Sequence, residues 1–507
     1  MTRSGLRRRQ LLAGFGLGAG VALSGPAAAL ASREIGAWDD SVDVLVAGSG
    51  SAACSAAIEA RRSGARVLLI ESLPRFGGSS AMSGGVVYAG GGTALQKAAG
   101  FEDTVEDMYR FIANNSGGYP QLDKIQLYCE ESVAHFDWLV SMGIPYNDRY
   151  TGVKELTLGD ESLYYSGNEL AWPARDTARP APRGHVPGEP GMTGGRRLME
   201  ALLAQTRAAG VTMRAGVSGQ RLVLESDGRV VGMQVLQDGH EYNVRARRGV
   251  VLACGGFIHN RDMVQRHAPA LFDCSTPWGN AGDLGEGIAM GSAAGGETLR
   301  MHEGFAITPI YPPESTLAGI VVNASGQRFI GEDSYYGVLG DAIAYQQQGR
   351  AWLITDAASS FDFHQDNFLQ VAEAPTIGDL AARTDFPQGS LQHTVAYYNR
   401  FAQTGRDPLF QKQERYLRPL DKPPFKAWDL SVKHAFFTAH TFGGLHTDID
   451  GRVINPFGEA IPGLYAVGRT AAGLPVAPYI ASGLSVGDCT FFGRRAGIAA
   501  ARAGVAA

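Results

Sequence analysis

The chain is 507 residues long, 45% apolar and 19% charged, which is ordinary globular composition and excludes disorder as its main state. Its 45 basic and 50 acidic side chains leave a formal net charge of −5, so it has no basic field to hold a nucleic-acid backbone. Cys54, Cys129, Cys254, Cys274 and Cys489 include no C-x-x-C or C-x-x-C-H spacing, which argues against a disulfide framework, a zinc or iron–sulfur site and c-type haem. No metal site is expected.

Residues 1–31 carry an arginine-rich start, a weakly hydrophobic glycine-laden stretch and Ala29-Leu30-Ala31 ahead of Ser32. This is the pattern of a cleavable export leader, and Arg8-Arg9 followed by Gln10-Leu11-Leu12 predicts the twin-arginine route to an extracytoplasmic location. The apolar part is too short to span a bilayer, so no membrane span is expected in the mature chain. Val42–Ala47 then reads as a buried strand, Ala52–Arg62 as a helix and Val67–Ile70 as a second strand, which together form a βαβ unit ending at Glu71. From about 100 to 210 the text is mixed and mostly helical, with Arg179–Gly195 predicted as a long surface loop. Between Val211 and Val250, Asp227-Gly228 and Asp238-Gly239 mark hairpin turns that lead into a buried strand at Gly249–Ala253. Residues 300–435 turn aromatic-rich, and from Gly443 the strand-turn pattern returns and closes in a helix near Ser485–Ala501, whose Arg494-Arg495 is predicted to face solvent.

Gly48-Ser49-Gly50-Ser51-Ala52-Ala53 is a GxGxxA turn between strand and helix, and Glu71 follows 21 residues after Gly50. Gly48 permits the tight turn, Gly50 lets backbone approach a pyrophosphate at the helix N-terminus, Ala53 allows close helix–sheet packing, and Glu71 is placed to bind a ribose. Ser51 and Ala52 open the same helix. Gly77-Gly78-Ser79-Ser80 and Ser83-Gly84-Gly85 form a second small-residue loop suited to a pyrophosphate and a flavin ring.

With Ala253-Cys254-Gly255-Gly256, Asp283, Gly468-Arg469 and Gly483-Leu484-Ser485 added, the chain from about Val42 to Gly497 resembles the fumarate reductase and 3-ketosteroid dehydrogenase superfamily of FAD enzymes. The resemblance implies an α/β fold with a Rossmann-like FAD-binding domain in two segments, 32–300 and 436–507, and an inserted α+β substrate-capping domain at 301–435. It also implies noncovalent FAD, because the loop at Phe76–Ser80 has no histidine of the kind that carries covalent flavin in the succinate dehydrogenase branch.

Fumarate reductases bind a dicarboxylate through fixed arginines. At the two arginine positions of that branch this chain reads Tyr336, beyond Arg328 and Glu332, and Tyr479, while His440 before Gly443-Gly444 resembles a retained histidine. Tyrosines suit ketone chemistry, in which a carbonyl oxygen is polarised and an adjacent C–H proton removed. The ketosteroid dehydrogenases imply Tyr479 and the Gly483 N–H as carbonyl donors, Tyr335 or Tyr336 as base, Ser482 as assistant, and Tyr311 as a further choice. The expected partners are a small hydrophobic ketone of steroid type and an external electron acceptor such as a quinone or carrier. The alternatives are an enoate reductase for a fumarate- or urocanate-like acid, and a flavin electron-transfer subunit.

Overall fold

A computed structural model of the chain describes residues 28–154, 159–190, 193–311, 313–359 and 368–504. Most of the predicted leader therefore lies outside the described residues. The main sheet is nine-stranded. Its parallel part sets β1 (Asp40–Ala47) between β2 (Val67–Glu71) and the far half of a long strand, with β3 (Thr212–Ala215) beyond β2. The hairpins predicted at Asp227-Gly228 and Asp238-Gly239 join β4 (Val217–Leu224), β5 (Val230–Gln237) and β6 (His240–Leu252). The last-named strand pairs with β5 through its first half, then with β1 on one side and a C-terminal strand at Ala460–Ala466 on the other. Val44, Leu45 and Val46 are fully buried, as expected of a parallel strand covered on both faces.

Helix α1 (Ser51–Arg62) buries a face of small residues, Ala52, Ala53, Ala56, Ala57 and Ala60, and the glycine-faced helix of the C-terminal segment packs onto it. We number that helix α3 (Leu484–Arg502), after α2 (Tyr336–Asp341). A Cβ at Gly493 would lie 2.5 Å from the Ala52 carbonyl oxygen, and one at Gly497 would lie 2.1 Å from that of Ala56. Only glycine allows this approach, which sets the start of α3 beside the dinucleotide turn. The outer face of α3 is covered too. Arg494 donates to His135 Nδ1 at 3.0 Å and lies 4.8 Å over the Trp138 ring, while Arg495 pairs with Asp450 at 2.8 Å. The expectation that this arginine pair simply faces solvent is thus corrected, because the helix Ser132–Ser141 supplies partners for Arg494, and Asp450 and Glu131 supply them for Arg495.

The stretch 179–195 is likewise no surface loop over its described length. Arg183 and His185 are fully buried, and Gly184–His185 is a strand of a small sheet with Val87–Tyr88, Leu163–Tyr164 and Tyr150–Thr151. Burial of Arg183 is offset by a two-point contact with Asp103, at 2.9 and 2.6 Å.

A four-stranded sheet, ordered Ile320–Val322, Trp352–Thr355, Phe425–Asp429 and Leu369–Ala374, packs with the helix Ser390–Ala402 in the predicted capping region. Glu332 is fully buried there. It accepts from Arg328 at 2.8 and 2.9 Å and from the Val321 N–H at 3.0 Å, and Lys412 Nζ lies 3.1 Å away. Burial opposes its ionisation, but Arg328 and Lys412 outweigh that and hold the carboxyl below its usual range. This network fixes the turn that leads into Tyr335 and Tyr336. A three-stranded sheet then joins Thr276–Pro277, β7 (Gly304–Ile307) and β8 (Thr438–Thr441), with β8 in the centre. Among the described residues no helix is long and apolar enough to cross a membrane.

Candidate active site

The dinucleotide turn is built by backbone. Gly48 has φ +110°, its N–H donates to the Ile70 carbonyl at 2.8 Å, and a Cβ there would lie 2.1 Å from the Ala253 oxygen. Gly50 is the extended N-cap of α1, whose first turn holds no acidic residue. The positive dipole end of the helix therefore meets the cavity without an acidic side chain in its own first turn. The Ser51 N–H donates to Ser80 Oγ at 3.0 Å, which ties the helix start to the second glycine loop. On the far side Ser79 Oγ donates to Asp283 at 2.7 Å, and Arg469 Nη2 meets the same carboxylate oxygen at 2.6 Å.

Of the residues predicted to bind the cofactor, Gly48, Gly50, Ser51, Ala52, Glu71, Gly78, Ser79, Ser80, Ala253, Gly255, Asp283, Gly468 and Arg469 line this one cavity. Ala53, Gly77, Gly256 and Leu484 line neither this cavity nor the next. Ala53 is fully buried against the sheet, Gly77 donates its N–H to Ser49 Oγ at 3.0 Å, Gly256 backs onto Thr441, and Leu484 packs in the core at the start of α3. Ser49 escaped the sequence reading. Its hydroxyl donates to Glu71 at 2.5 Å and accepts from Gly77, so it couples that carboxylate to the second loop. As the variable position of GxGxxA it carried no signal. Val217, Gly219, Asn280 and Met290 also line the cavity and come from distant segments.

Beyond it opens a larger cavity of about 370 Å³. That is within the roughly 300–1,000 Å³ range of small-molecule sites. Ser83, Gly84, Gly85, Gly483 and Ser485 form one side, and Tyr336, His440, Tyr479 and Ser482 stand on the wall with Trp278, Phe305 and Phe436. Among the described residues this wall contains no Lys, Arg, Asp or Glu.

Tyr479 packs edge-on against Phe305, ring centroids 5.0 Å apart, and its hydroxyl oxygen accepts the Ser485 N–H at 3.1 Å. That bond leaves the hydroxyl hydrogen free to donate into the cavity. Burial pushes the phenol up to about 12, against the lowering effect of the nearby Ser485 side chain and of the Ser485 and Gly483 backbone, so it stays a donor. Gly483 is the N-cap of α3 at φ +102°, and a Cβ there would strike the Tyr88 backbone at 2.5 Å.

Ser482 Oγ lies 2.6 Å from the Tyr335 hydroxyl and 2.9 Å from that of Tyr336. The two tyrosines differ in position. Tyr336 is on the wall of the large cavity, whereas Tyr335 and Tyr336 together line a narrow cleft behind it with Tyr311 and Lys154. Burial raises both phenols above their ordinary range, and the Ser482 hydroxyl works in the opposite sense. His440 stacks on Phe305 at 4.5 Å. Burial and then the charge of Arg469 hold its imidazole neutral.

Four buried polar atoms along these walls have no partner among the described residues: Arg469 Nη1, His440 Nε2, Ser485 Oγ and Thr438 Oγ1. Unpaired buried donors are costly, and their concentration here, with a cradle at Gly48 that a Cβ would fill, fits a bound FAD. The comparisons agree. The family model described as "FAD binding domain" matches residues 43–479. The crystal structure of 3-ketosteroid-delta4-(5alpha)-dehydrogenase from Rhodococcus jostii RHA1, solved in complex with 4-androstene-3,17-dione, is 39% identical, with 94% of this chain and 100% of that chain covered and a TM-score of 0.88. The 3-oxo-5-alpha-steroid 4-dehydrogenase of Comamonas testosteroni is 30% identical over 85% of this chain and 93% of its own length. The fumarate reductase (cytochrome) of Shewanella frigidimarina is 29% identical over 94% and 79%.

Proposed function

The chain belongs to the FAD binding domain family of flavoproteins, and from that premise we propose that it is an oxidoreductase that desaturates a 3-ketosteroid, or a similar hydrophobic cyclic ketone, beside its carbonyl. The observation that carries this is the charge-free wall of the large cavity, with a Tyr479 hydroxyl free to donate and a Ser482-linked tyrosine pair on it. Tyr479, with the Gly483 N–H, would hold the ketone oxygen and stabilise the charge that develops on it. Tyr336 would take the proton from the carbon beside the carbonyl, with Ser482 and Tyr335 as hydrogen-bond partners behind it. FAD, when bound, supplies the acceptor for the hydride that leaves the next carbon, so that one C–C bond becomes C=C and two electrons are taken up. Gly48, Gly50, Ser51, Glu71 and the Ser79–Ser80 loop would hold it without a covalent link.

Both ketosteroid relatives named above act at position 4, which supports Δ4 over Δ1 desaturation. A fumarate-like acid is disfavoured, since its carboxylates would meet no cation on the wall and His440 is neutral. Reoxidation by a quinone or carrier protein, and twin-arginine export with a mature chain starting near Ser32, complete the reading; N-terminal sequencing of the native protein tests the export. The deciding experiment is anaerobic bleaching of the flavin absorbance in the purified holoprotein by 5α-saturated and 4-ene 3-ketosteroids, with succinate as control. Bleaching by the 5α-saturated class and formation of the 4-ene product are expected. Bleaching by succinate alone would overturn the ketone reading.

A further inference from the structure

The hydroxyl triad of Tyr335, Ser482 and Tyr336 joins side chains 147 and 146 positions apart, and neither hydroxyl distance can be right unless two backbones are held in register. One short segment touches both. Ser166 and Asn168 flank Gly167, which forms an antiparallel bridge with Ala481 in the Tyr479–Gly483 loop. The Ser482 N–H donates to the Ser166 carbonyl at 2.8 Å, Ser166 Oγ donates to the Ser482 carbonyl at 2.9 Å, and the Asn168 N–H donates to the Ile480 carbonyl at 2.9 Å. Asn168 Oδ1 then accepts the N–H of Tyr335 at 2.8 Å, in the capping segment. Ser166 and Asn168 are 2% and 5% exposed, and a Cβ on Gly167 would lie 2.4 Å from that of Ala481, so the segment has no slack.

We propose that Asn168 is a positioning residue for the reaction: through one side-chain oxygen it sets the distance between the Tyr335 hydroxyl and Ser482, and so the alignment of the proton-accepting triad. Asn168 follows the strand Leu163–Tyr164, outside the four-stranded sheet and the glycine-rich loops, and lines neither of the two cavities. It acts only through the two backbones it joins. Because Tyr335 caps the start of α2, its N–H has no partner within the helix. Losing the Asn168 acceptor leaves that N–H buried and unpaired, which favours a shift of the whole turn.

The kinetic part of this inference rests on the ketone reading, so its test has a second arm that needs no substrate. In Asn168→Ala holoenzyme, hydrogen exchange is expected to rise in peptides covering Tyr335 and Ile480–Ser482 and to stay unchanged around Gly48. In anaerobic flavin bleaching by a 5α-saturated 3-ketosteroid, the limiting rate is expected to fall about 10- to 100-fold with KM moved less than about 3-fold and FAD content intact. Tyr335→Phe added to Asn168→Ala should cost little more than Tyr335→Phe alone, since both act on one hydroxyl. Multiplying penalties, or an unchanged rate, would overturn the proposal. If the wild type bleaches with no ketone, the substrate reading falls while the exchange arm still decides the staple: unaltered exchange at Tyr335 rejects it. Should Asn168→Ala fail to accumulate as holoenzyme, Ser166→Ala removes one hydroxyl from the same staple and is expected to slow bleaching roughly 3- to 10-fold; wild-type speed would reject it.

Discussion

Ser49 and Glu71, which meet at the cofactor end of the site, are 22 positions apart and belong to one βαβ unit. Tyr335 and Ser482, which meet at the end proposed for the reaction, are 147 apart and are carried by the turn before α2 and the loop before the last helix. The first end is shaped by backbone around that contact: glycine conformations and helix N–H groups, with φ +110° at Gly48 and φ +53° at Gly78. The second is made of side-chain hydroxyls whose spacing depends on three segments packing correctly. A binding end encoded locally and a reaction end assembled at long range explain why one cofactor fold supports many chemistries, since the assembled end can change while the local end stays.

The largest expected effect breaks the local end. Gly48→Ala combines a positive φ with a Cβ 2.1 Å from the Ala253 oxygen, a clash with backbone that no rotamer relieves. Purified protein is expected to hold less than about a tenth of the wild-type flavin, or to be insoluble. Normal flavin content would show that the turn tolerates what the geometry forbids. Next in size, Tyr479→Phe tests whether the two ends are separable. The ring remains to pack on Phe305, and only the hydroxyl is lost. Catalysis should fall about 10²- to 10³-fold while the flavin spectrum and content stay unchanged. Loss of flavin together with rate would mean that Tyr479 belongs to the binding end instead.

The same contrast decides what was legible in the sequence. The βαβ unit, both hairpins and the C-terminal helix were readable because each is specified by neighbouring residues. So were Gly48, whose positive φ calls for glycine, and Gly50 and Glu71, which are marked by their spacing within that unit. Tyr479 and Ser482 were reachable only through a family resemblance, and Asn168 and Ser166 were invisible, because an Asn in mixed text acquires its role from two backbones that the sequence alone does not bring together. Arg183 and Arg494 misled for a related reason. A charged residue in polar text reads as solvated, and its burial becomes sensible only when Asp103, or His135 and Trp138, arrive from elsewhere.

The smallest expected effect sharpens the assembled end by asking what Ser482 contributes. Both phenols it touches are raised by burial, so neither is ionised at neutral pH, and proton removal from the ketone should accelerate as pH climbs into the alkaline range. The Ser482 hydroxyl lies within 2.9 Å of each oxygen and can donate to a phenolate, which stabilises the charged form and lowers its pKa. Removing that donor leaves burial unopposed at this contact, so the phenol becomes harder to ionise. Ser482→Ala should therefore slow flavin bleaching about 10-fold near neutrality and move the alkaline rise of kcat/KM to higher pH. The ratio between variant and wild type should hold steady while both phenols stay protonated and narrow only as pH climbs past about 10, into the raised range of the wild-type phenol. A uniform loss at every pH would mean that Ser482 only aligns the tyrosines, whereas a shifted limb assigns it part of the proton transfer.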